Sequence, residues 1–370
     1  MGSGEFVIMG LLPYLARDIG ISEPQAGHLI SAYALGVVVG APLVAIFSAR
    51  HPRRGVLLAL LGFFMLANGA SALASTHTSL LITRFVAGLP HGAYFGLAAL
   101  VAASMVPESH RARAVGYVMM GLTMSTLLGL PISAWMGQTL GWRPAFAVVT
   151  LIAMLSWLMV LRFVPDVPSS ALVSPQGELS ALRQPQVWLT LGIGVIGCGG
   201  MFAVVSYIVP LLSKVTMLSD HWIPPALAMF GLGMAAGNTL GAYFADKALM
   251  KTIAALLVFN IAVSVSLPLT APHPAFALTS LFFVGTFAVM AVALQTRLMD
   301  VAREGQALAA ALNHAAFNMA NAIGALLGGI AISMGQSISA IGYAAAMLGL
   351  GGFMIFSISV WLDLKTRFAN

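Results

Sequence analysis

Residues Leu80–Val106, LLITRFVAGLPHGAYFGLAALVAASMV, constrain this chain more than any other stretch. The run is 27 residues of nearly unbroken apolar sequence. A hydrocarbon layer of about 30 Å needs roughly 20 such residues, so the run crosses a bilayer with some tilt. One full charge, Arg84, lies inside it, with His91 seven residues further on. Seven helical steps come to about 700°, which puts Arg84, Gly88 and His91 on one face. A cation in hydrocarbon costs about 2.5–3.5 kcal/mol on insertion scales. Arg84 either snorkels to the interface about two turns away or faces a partner or water. We read it as facing a partner.

The rest of the chain repeats this pattern. Apolar runs at about 2–19, 23–48, 55–75, 114–140, 144–164, 187–213, 223–245, 252–271, 275–299, 306–333 and 338–361 predict eleven further helices, twelve in all. With 59% hydrophobic residues, 8% charged and a mean hydropathy of +0.95, the composition excludes a soluble domain. The longer link at 165–186 holds Pro165, Pro168 and Pro175 and divides the chain. The expected organisation is a six-helix bundle over 1–164, a cytoplasmic linker over 165–186, and a second bundle over 187–370 with a short tail. The formal charge of +6 does not mark a nucleic-acid surface, because the bases sit in short loops between apolar runs. Arg50, Arg53, Arg54, Arg111, Arg113, Arg162, Arg183, Lys247, Lys251, Arg297, Arg303, Lys365 and Arg367 fall on one side, and only Arg17, Arg143 and Lys214 on the other. The positive-inside rule then places the long link and the C-terminus in the cytoplasm. No basic segment precedes the first apolar run, so no cleavable signal peptide is expected.

Enzyme and metal signatures are missing. Cys198 alone supports neither a disulfide within the chain nor a cysteine metal cluster, and the eight histidines show no H-E-x-x-H or paired spacing. Gly192-Ile193-Gly194-Val195-Ile196-Gly197 fits G-x-G-x-x-G with Asp220 downstream, but it lies in a membrane run with no strand before it.

The two halves repeat. A shift of 197 residues lays Gly36 and Gly40 on Gly233 and Gly237, Phe47 on Phe244, Arg50 on Lys247 and Arg54 on Lys251. Two six-helix halves of like topology are the parallel-repeat architecture of a large transporter class. The run 114–140 has Gly121, Ser125, Gly129, Ser133 and Gly137, small at every fourth position, together with the helix-kinking Pro131. A hinge and a tight gate seam both fit it. Gly233, Gly237, Gly241 and Ala245 read as ordinary close packing.

The chain resembles the major facilitator superfamily, most closely its twelve-helix drug:proton antiporter branch and, within that, bacterial arabinose- and sugar-efflux-like permeases. The likeness runs the whole length and is sharpest at Glu5–Pro13, Ile30–Gly36, Pro90–Gly96 and Gly141-Trp142-Arg143. It implies an all-α integral membrane protein of the major facilitator fold, with a first helix that is either shortened or begins upstream of Met1. It also implies a cytoplasmic latch between the second and third helices, matched by the cations Arg50, Arg53 and Arg54. Ala49 stands where the family's aspartate is expected. The repeat of that latch keeps an acid at Asp246, followed by Lys247. The family arginine tied to proton movement falls on Arg84. The antiporter signature is met only loosely, by Gly129, Pro131 and Gly137, with Leu130 interrupting its Gly-Pro pair.

Glu5 and Arg84 are the only acid and base the sequence places inside helices away from their ends. Glu5 lies about 12 residues, or roughly 18 Å, from the outer end of its helix, near the midplane. Desolvation holds a proton on a carboxyl there and a nearby cation drives it off, so alternating between the two loads and releases a proton. Glu5 is the candidate carrier, with Arg84 and His91 tuning it. For His91 and His314 a simple interhelical hydrogen bond is the plainer alternative. Candidate substrate contacts are Tyr33, Tyr94, Ser206, Tyr207, Gln295, Asn313, His314, Asn318 and Asn321, since amides in lipid must face protein or a cavity. Few cavity charges favour a neutral or weakly cationic, partly apolar solute. The expected protein is a monomeric secondary transporter of the bacterial inner membrane, exporting small molecules against proton entry, with no cofactor but the proton gradient. Proton-linked uptake and facilitated diffusion are the alternatives within the class. A membrane sensor, a scaffold or a membrane-embedded enzyme are the alternatives outside it.

Overall fold

The structure, a computed structural model, describes residues 1–48, 51–107, 110–165, 180–302, 306–335 and 337–369. All regular elements among them are helices. Helix α1, Gly2–Ile19, stops where Gly20 takes a left-handed conformation with φ 73°. Ser22 and Gln25 cap the next helix reciprocally, Ser22 N donating to Gln25 Oε1 at 2.8 Å and Gln25 N to Ser22 Oγ at 3.3 Å. That helix, α2, covers Glu23–Ser48, and α3 covers Arg53–Leu73. Thr76 and Ser79 form a capping box that starts α4, His77–Gly88, three residues earlier than expected.

The run at 80–106 is not one unbroken helix. Leu89 and Pro90 form a turn, and the chain resumes as α5, His91–Ser104. Pro90 has no N–H to give to the carbonyl four residues back, and Leu89 N settles for Val86 O at 3.2 Å. The run at 114–140 is likewise divided into α6 (Arg111–Met124), a π-turn at Ser125–Gly129, and α7 (Leu130–Thr139), the turn lying just before Pro131. Arg143–Phe163 is α8.

In the second half α9 (Pro185–Gly192), a π-turn at Ile193–Gly197, α10 (Gly199–Ser206) and α11 (Ile208–Lys214) follow one another. The G-x-G-x-x-G stretch is thus a helical turn between helices and not a strand-to-helix loop. Helix α12 spans Ile223–Thr270 as two rods joined at Ala248 (φ −158°, ψ 69°). A polar link was expected here. The structure places a break there, narrowed to one non-helical residue, Ala248, between two helices. Then come α13 (Pro274–Thr286), a 3₁₀ turn at Phe287–Val289, α14 (Met290–Ala302), α15 (Gln306–Ser333) and α16 (Ile341–Ala369). Ten stretches of the described residues are long and apolar enough to cross a membrane.

Contacts group the chain into two units. One is Met1–Leu172 with Ile208–Pro210 and Ser219–Gly231, and the other is Val173–Tyr207, Leu211–Leu218 and Leu232–Asn370. Most of the expected linker lies outside the described residues. Its end, a 3₁₀ turn at Ser180–Arg183, buries Ala181 among Val187, Leu298, Ala302 and Ala309 of the second unit.

The repeat is visible in how each unit packs. In the first, a Cβ on Gly36 would overlap the carbonyl oxygen of Phe85, and one on Gly40 that of Leu89. In the second, Gly233 meets the carbonyl oxygen of Phe282 in the same way, and Gly237 that of Thr286. Every residue in the second set is 197 positions beyond its counterpart. In the α6–α7 ridge, Ser133 and Gly137 form a seam with α1, against Gly10 and against Tyr14 and Leu11. A Cβ on Gly129 would meet nothing closer than Ser3 Oγ at 3.8 Å.

Candidate functional site: a buried charge cluster in the first unit

Four helices bring Glu5, Tyr33, Arg84 and His91 together. Glu5 is on α1 and 6% exposed, Tyr33 on α2 and 1%, Arg84 on α4 and 0%. His91, 3% exposed, opens α5 immediately after the Pro90 break. His91 Nε2 lies 3.5 Å from Glu5 Oε2, and its Nδ1 lies 2.6 Å from Tyr33 Oη. The Tyr33 and His91 rings meet edge to face at 89°.

Arg84 does not snorkel. Its Nη2 donates to the Gly4 carbonyl at 2.6 Å and its Nη1 to Asn68 Oδ1 at 3.5 Å. The guanidinium carbon stands 4.3 Å over the Tyr33 ring centroid and 5.6 Å from that of Phe146. Its Nε has no hydrogen-bond partner, and no ion pair to it occurs among the described residues. Asn68 is aimed by donating its own Nδ2 to Phe64 O at 2.8 Å. Arg84 is therefore a buried cation beside Glu5 but bonded to neutral groups. Such an arrangement holds its charge by hydrogen bonds and a π face. Shifted by 197 residues, Glu5, Tyr33, Arg84 and His91 fall on Phe202, Phe230, Leu281 and Ala288, all buried and apolar. The cluster belongs to one half only.

The expected substrate contacts separate. Tyr94 is partly buried on α5 and edges Phe95 at 6.1 Å. Tyr33 belongs to the cluster above, and the others lie in the second unit. Tyr207 is fully buried and spends its hydroxyl on Ala325 O at 2.8 Å. On α15, Asn313 donates to Ala291 O at 3.1 Å and Asn318 to His314 O at 3.0 Å. Asn318 Oδ1 and Ser206 Oγ are buried without a partner. Asn321 is fully buried, while His314 on α15 and Gln295 on α14 are partly exposed.

Of the expected latch, Arg50 and the side chain of Asp246 lie outside the described residues. Arg54 Nη2 donates to Leu161 O at 2.5 Å, tying the start of α3 to the end of α8, and Arg53 opens α3 beside it. Lys247 bonds Tyr243 one turn back and sits 4.2 Å from that ring's centroid. Sequence reasoning missed two clusters. Arg297, read as a loop cation, lies inside α14 and pairs with Asp363 of α16, so Glu5 and Arg84 are not the only interior charges. Asp18 Oδ2 accepts from Trp142 Nε1 at 2.7 Å and Arg143 Nη1 at 2.8 Å, while Arg143 Nη2 reaches Ala74 O at 3.3 Å. The adjacency of Trp142 and Arg143 was the only sequence signal for it. Among the described residues no group of three or more His, Cys, Asp or Glu could hold a metal ion.

Known proteins agree with this architecture. The family model described as Major Facilitator Superfamily matches residues 1–302. The "Inner membrane transport protein YdhP" of Escherichia coli (strain K12) is 37% identical over 359 residues, 96% of this chain and 92% of that protein. The "Chloramphenicol resistance protein" of Streptomyces lividans is 30% identical over 347 residues, 92% and 88% of the two chains. The crystal structure of a bacterial homolog to the human lysosomal transporter Spinster, inward-facing and occupied, superposes with a TM-score of 0.73. That match covers 98% of this chain and 94% of the other at 16% identity, a likeness of fold.

Proposed function

We propose that this chain, which belongs to the major facilitator superfamily of membrane transporters, is a proton-coupled exporter of small, neutral or weakly cationic, partly apolar solutes. The observation that carries the reading is the Glu5–His91 contact, buried between helices with Arg84 beside it and no ion pair to that cation. A carboxyl in such a place gains or loses a proton according to small movements of the groups around it. When the imidazole and the guanidinium approach, the carboxylate form is favoured and the proton leaves. When they withdraw, desolvation favours the neutral acid. Coupling this exchange to alternating access needs no cofactor, only the proton gradient. The chloramphenicol resistance relative supports a drug-like cargo. The amides of α15 and the unpartnered Ser206 Oγ and Asn318 Oδ1 supply donors and acceptors for such a solute. The excess of bases on one set of links supports a cytoplasmic C-terminus, in the inner membrane of a bacterium.

The test uses everted membrane vesicles with an imposed proton gradient, to which sugars, nucleosides and cationic drugs are added in turn. A compound that collapses the gradient with the parent protein, and fails to with Glu5→Gln, identifies antiport and its substrate class. Gradient collapse that persists unchanged in Glu5→Gln removes Glu5 as the carrier. Counterflow of the panel with no proton movement makes the protein a facilitator.

A further inference from the structure

We infer that Tyr33 is a positioning residue for the proton site, not a substrate contact: its hydroxyl fixes the tautomer of His91, and its ring seats Arg84. The inference rests on the proton-coupled reading above and extends it to a residue that reading does not use.

Three observations meet at this side chain. Its Oη is 2.6 Å from His91 Nδ1. Its ring face carries the Arg84 guanidinium at 4.3 Å. It is 1% exposed, with its hydroxyl spent on His91 and its ring face covered by Arg84. With Glu5 ionised and the imidazole neutral, the hydrogen bonds have one self-consistent direction. An ionised Glu5 only accepts, so the imidazole nitrogen facing it, Nε2, carries the proton. Nδ1 of the neutral ring then has a lone pair, and the Tyr33 O–H donates to it. Remove the hydroxyl and Nδ1 can take the proton instead. Nε2 would then point a lone pair at Glu5, which suits the neutral carboxylic acid. The Tyr33 hydroxyl therefore biases the pair toward a donating imidazole and an ionised carboxyl. The ring does the complementary task of holding Arg84 against the Gly4 carbonyl and Asn68, without bonding it to the carboxylate. Among the described residues, the titratable groups that act on Glu5 include Arg84 of α4, His91 of α5 and Tyr33 itself. Asn68 of α3 and Phe146 of α8 add no charge.

The experiment needs no substrate. The full chain, reconstituted in phosphatidylethanolamine–phosphatidylglycerol vesicles, is read in two ways: nitrogen-15 NMR of histidine for tautomer, and infrared absorption of the Glu5 carboxyl as pH is varied. His91→Gln and Glu5→Gln identify the two signals. In the parent, His91 should be the Nε2–H tautomer while Glu5 is ionised. Tyr33→Phe keeps the ring under Arg84 and removes only the hydroxyl. It should yield mixed tautomers and move the Glu5 midpoint about one pH unit alkaline, a tenfold tighter hold on the proton. Unchanged tautomer and midpoint in Tyr33→Phe overturn the positioning role and leave the coupling reading standing. An Nδ1–H tautomer in the parent while Glu5 is ionised overturns it without any variant. A Glu5 carboxyl signal that does not change with pH while the protein stays folded removes the coupling reading and this inference with it.

Discussion

The 197-residue repeat offers a controlled pair of substitutions, Gly36→Ala and Gly233→Ala. Each adds one methyl group to a helix seam of nearly the same shape. The new Cβ at position 36 would overlap the Phe85 carbonyl oxygen and lie 3.0 Å from its carbon and 3.1 Å from Gly88 Cα. At position 233 it would overlap the Phe282 oxygen and lie 2.9 Å from its carbon and 3.2 Å from Gly285 Cα. Carbon atoms pack at about 3.5–4.0 Å, so either pair of helices must part by about 1 Å. Overpacking of this kind costs about 1–3 kcal/mol, and the two costs should agree within about 1 kcal/mol. Their effects on the proton site should not agree. Parting α2 from α4 by about 1 Å carries Tyr33 away from His91 and takes a 2.6 Å hydrogen bond beyond the roughly 3.2 Å limit of a good one. Gly233 has only Phe230 and Leu281 at the corresponding places. Thermal unfolding in detergent should therefore report similar losses for both variants, while pH titration of the Glu5 infrared band changes in Gly36→Ala alone. Equal changes in that band would refute the reasoning, as would a Gly36→Ala protein as stable as the parent.

Other substitutions test the interactions outside the cluster. Arg297 and Asp363 have side chains 13% and 28% exposed, so Asp363→Ala should cost about 1–3 kcal/mol, less than a fully buried pair. Pairing Arg297→Met with Asp363→Leu should restore most of that loss in a thermal melt. Asp18 and Arg143 are about half exposed, so Asp18→Asn, which keeps an acceptor for Trp142, should cost less than about 1 kcal/mol, and the difference should shrink in high salt. Asp18→Ala also orphans the buried Trp142 N–H and should cost about 1–2 kcal/mol more, seen in the same melts. Tyr207→Phe removes a bond to Ala325 and should lower stability by about 1 kcal/mol while vesicle transport continues. Asn318→Ala, which removes an unpartnered buried oxygen, should weaken transport in the vesicle assay more than it weakens the fold.

The membrane class, the helix runs and the internal repeat could be read from the chain because hydropathy and small-residue spacing are local signals. Gly36 and Gly233 even find partners at the same offset. The charge cluster was legible in part: a cation and an acid in apolar runs are costly enough to demand a meeting, and Glu5, His91 and Arg84 do gather. That Arg84 would bond Gly4 O and Asn68 was not legible, because a buried cation has many neutral acceptors and sequence does not rank them. Tyr33 was read as a substrate contact because an aromatic hydroxyl looks the same facing a cavity or a histidine. The break at Pro90 was masked by a long apolar run, whereas the break at Ala248 falls inside the polar link read between residues 245 and 252. The Arg297–Asp363 pair joins residues 66 apart, and the positive-inside count had already assigned Arg297 to a loop.

The seams at Gly36 and Gly40, and their copies at Gly233 and Gly237, have a mechanical consequence. Main chain rests on main chain there, with no side chain between to bend, rotate or creep. Two rods joined this way behave as one plank, stiff against sliding because each carbonyl sits in a notch of the other helix. Give must then come from beyond the seam: the break at Pro90 in the first unit and the Ala248 joint in the second. His91 is the first residue beyond the Pro90 break, so the imidazole stands at the joint while Arg84 and Tyr33 ride on the plank. A flexure of a few degrees at Pro90 would be geared into a change of distance between the imidazole and its two neighbours, with the rods themselves undeformed.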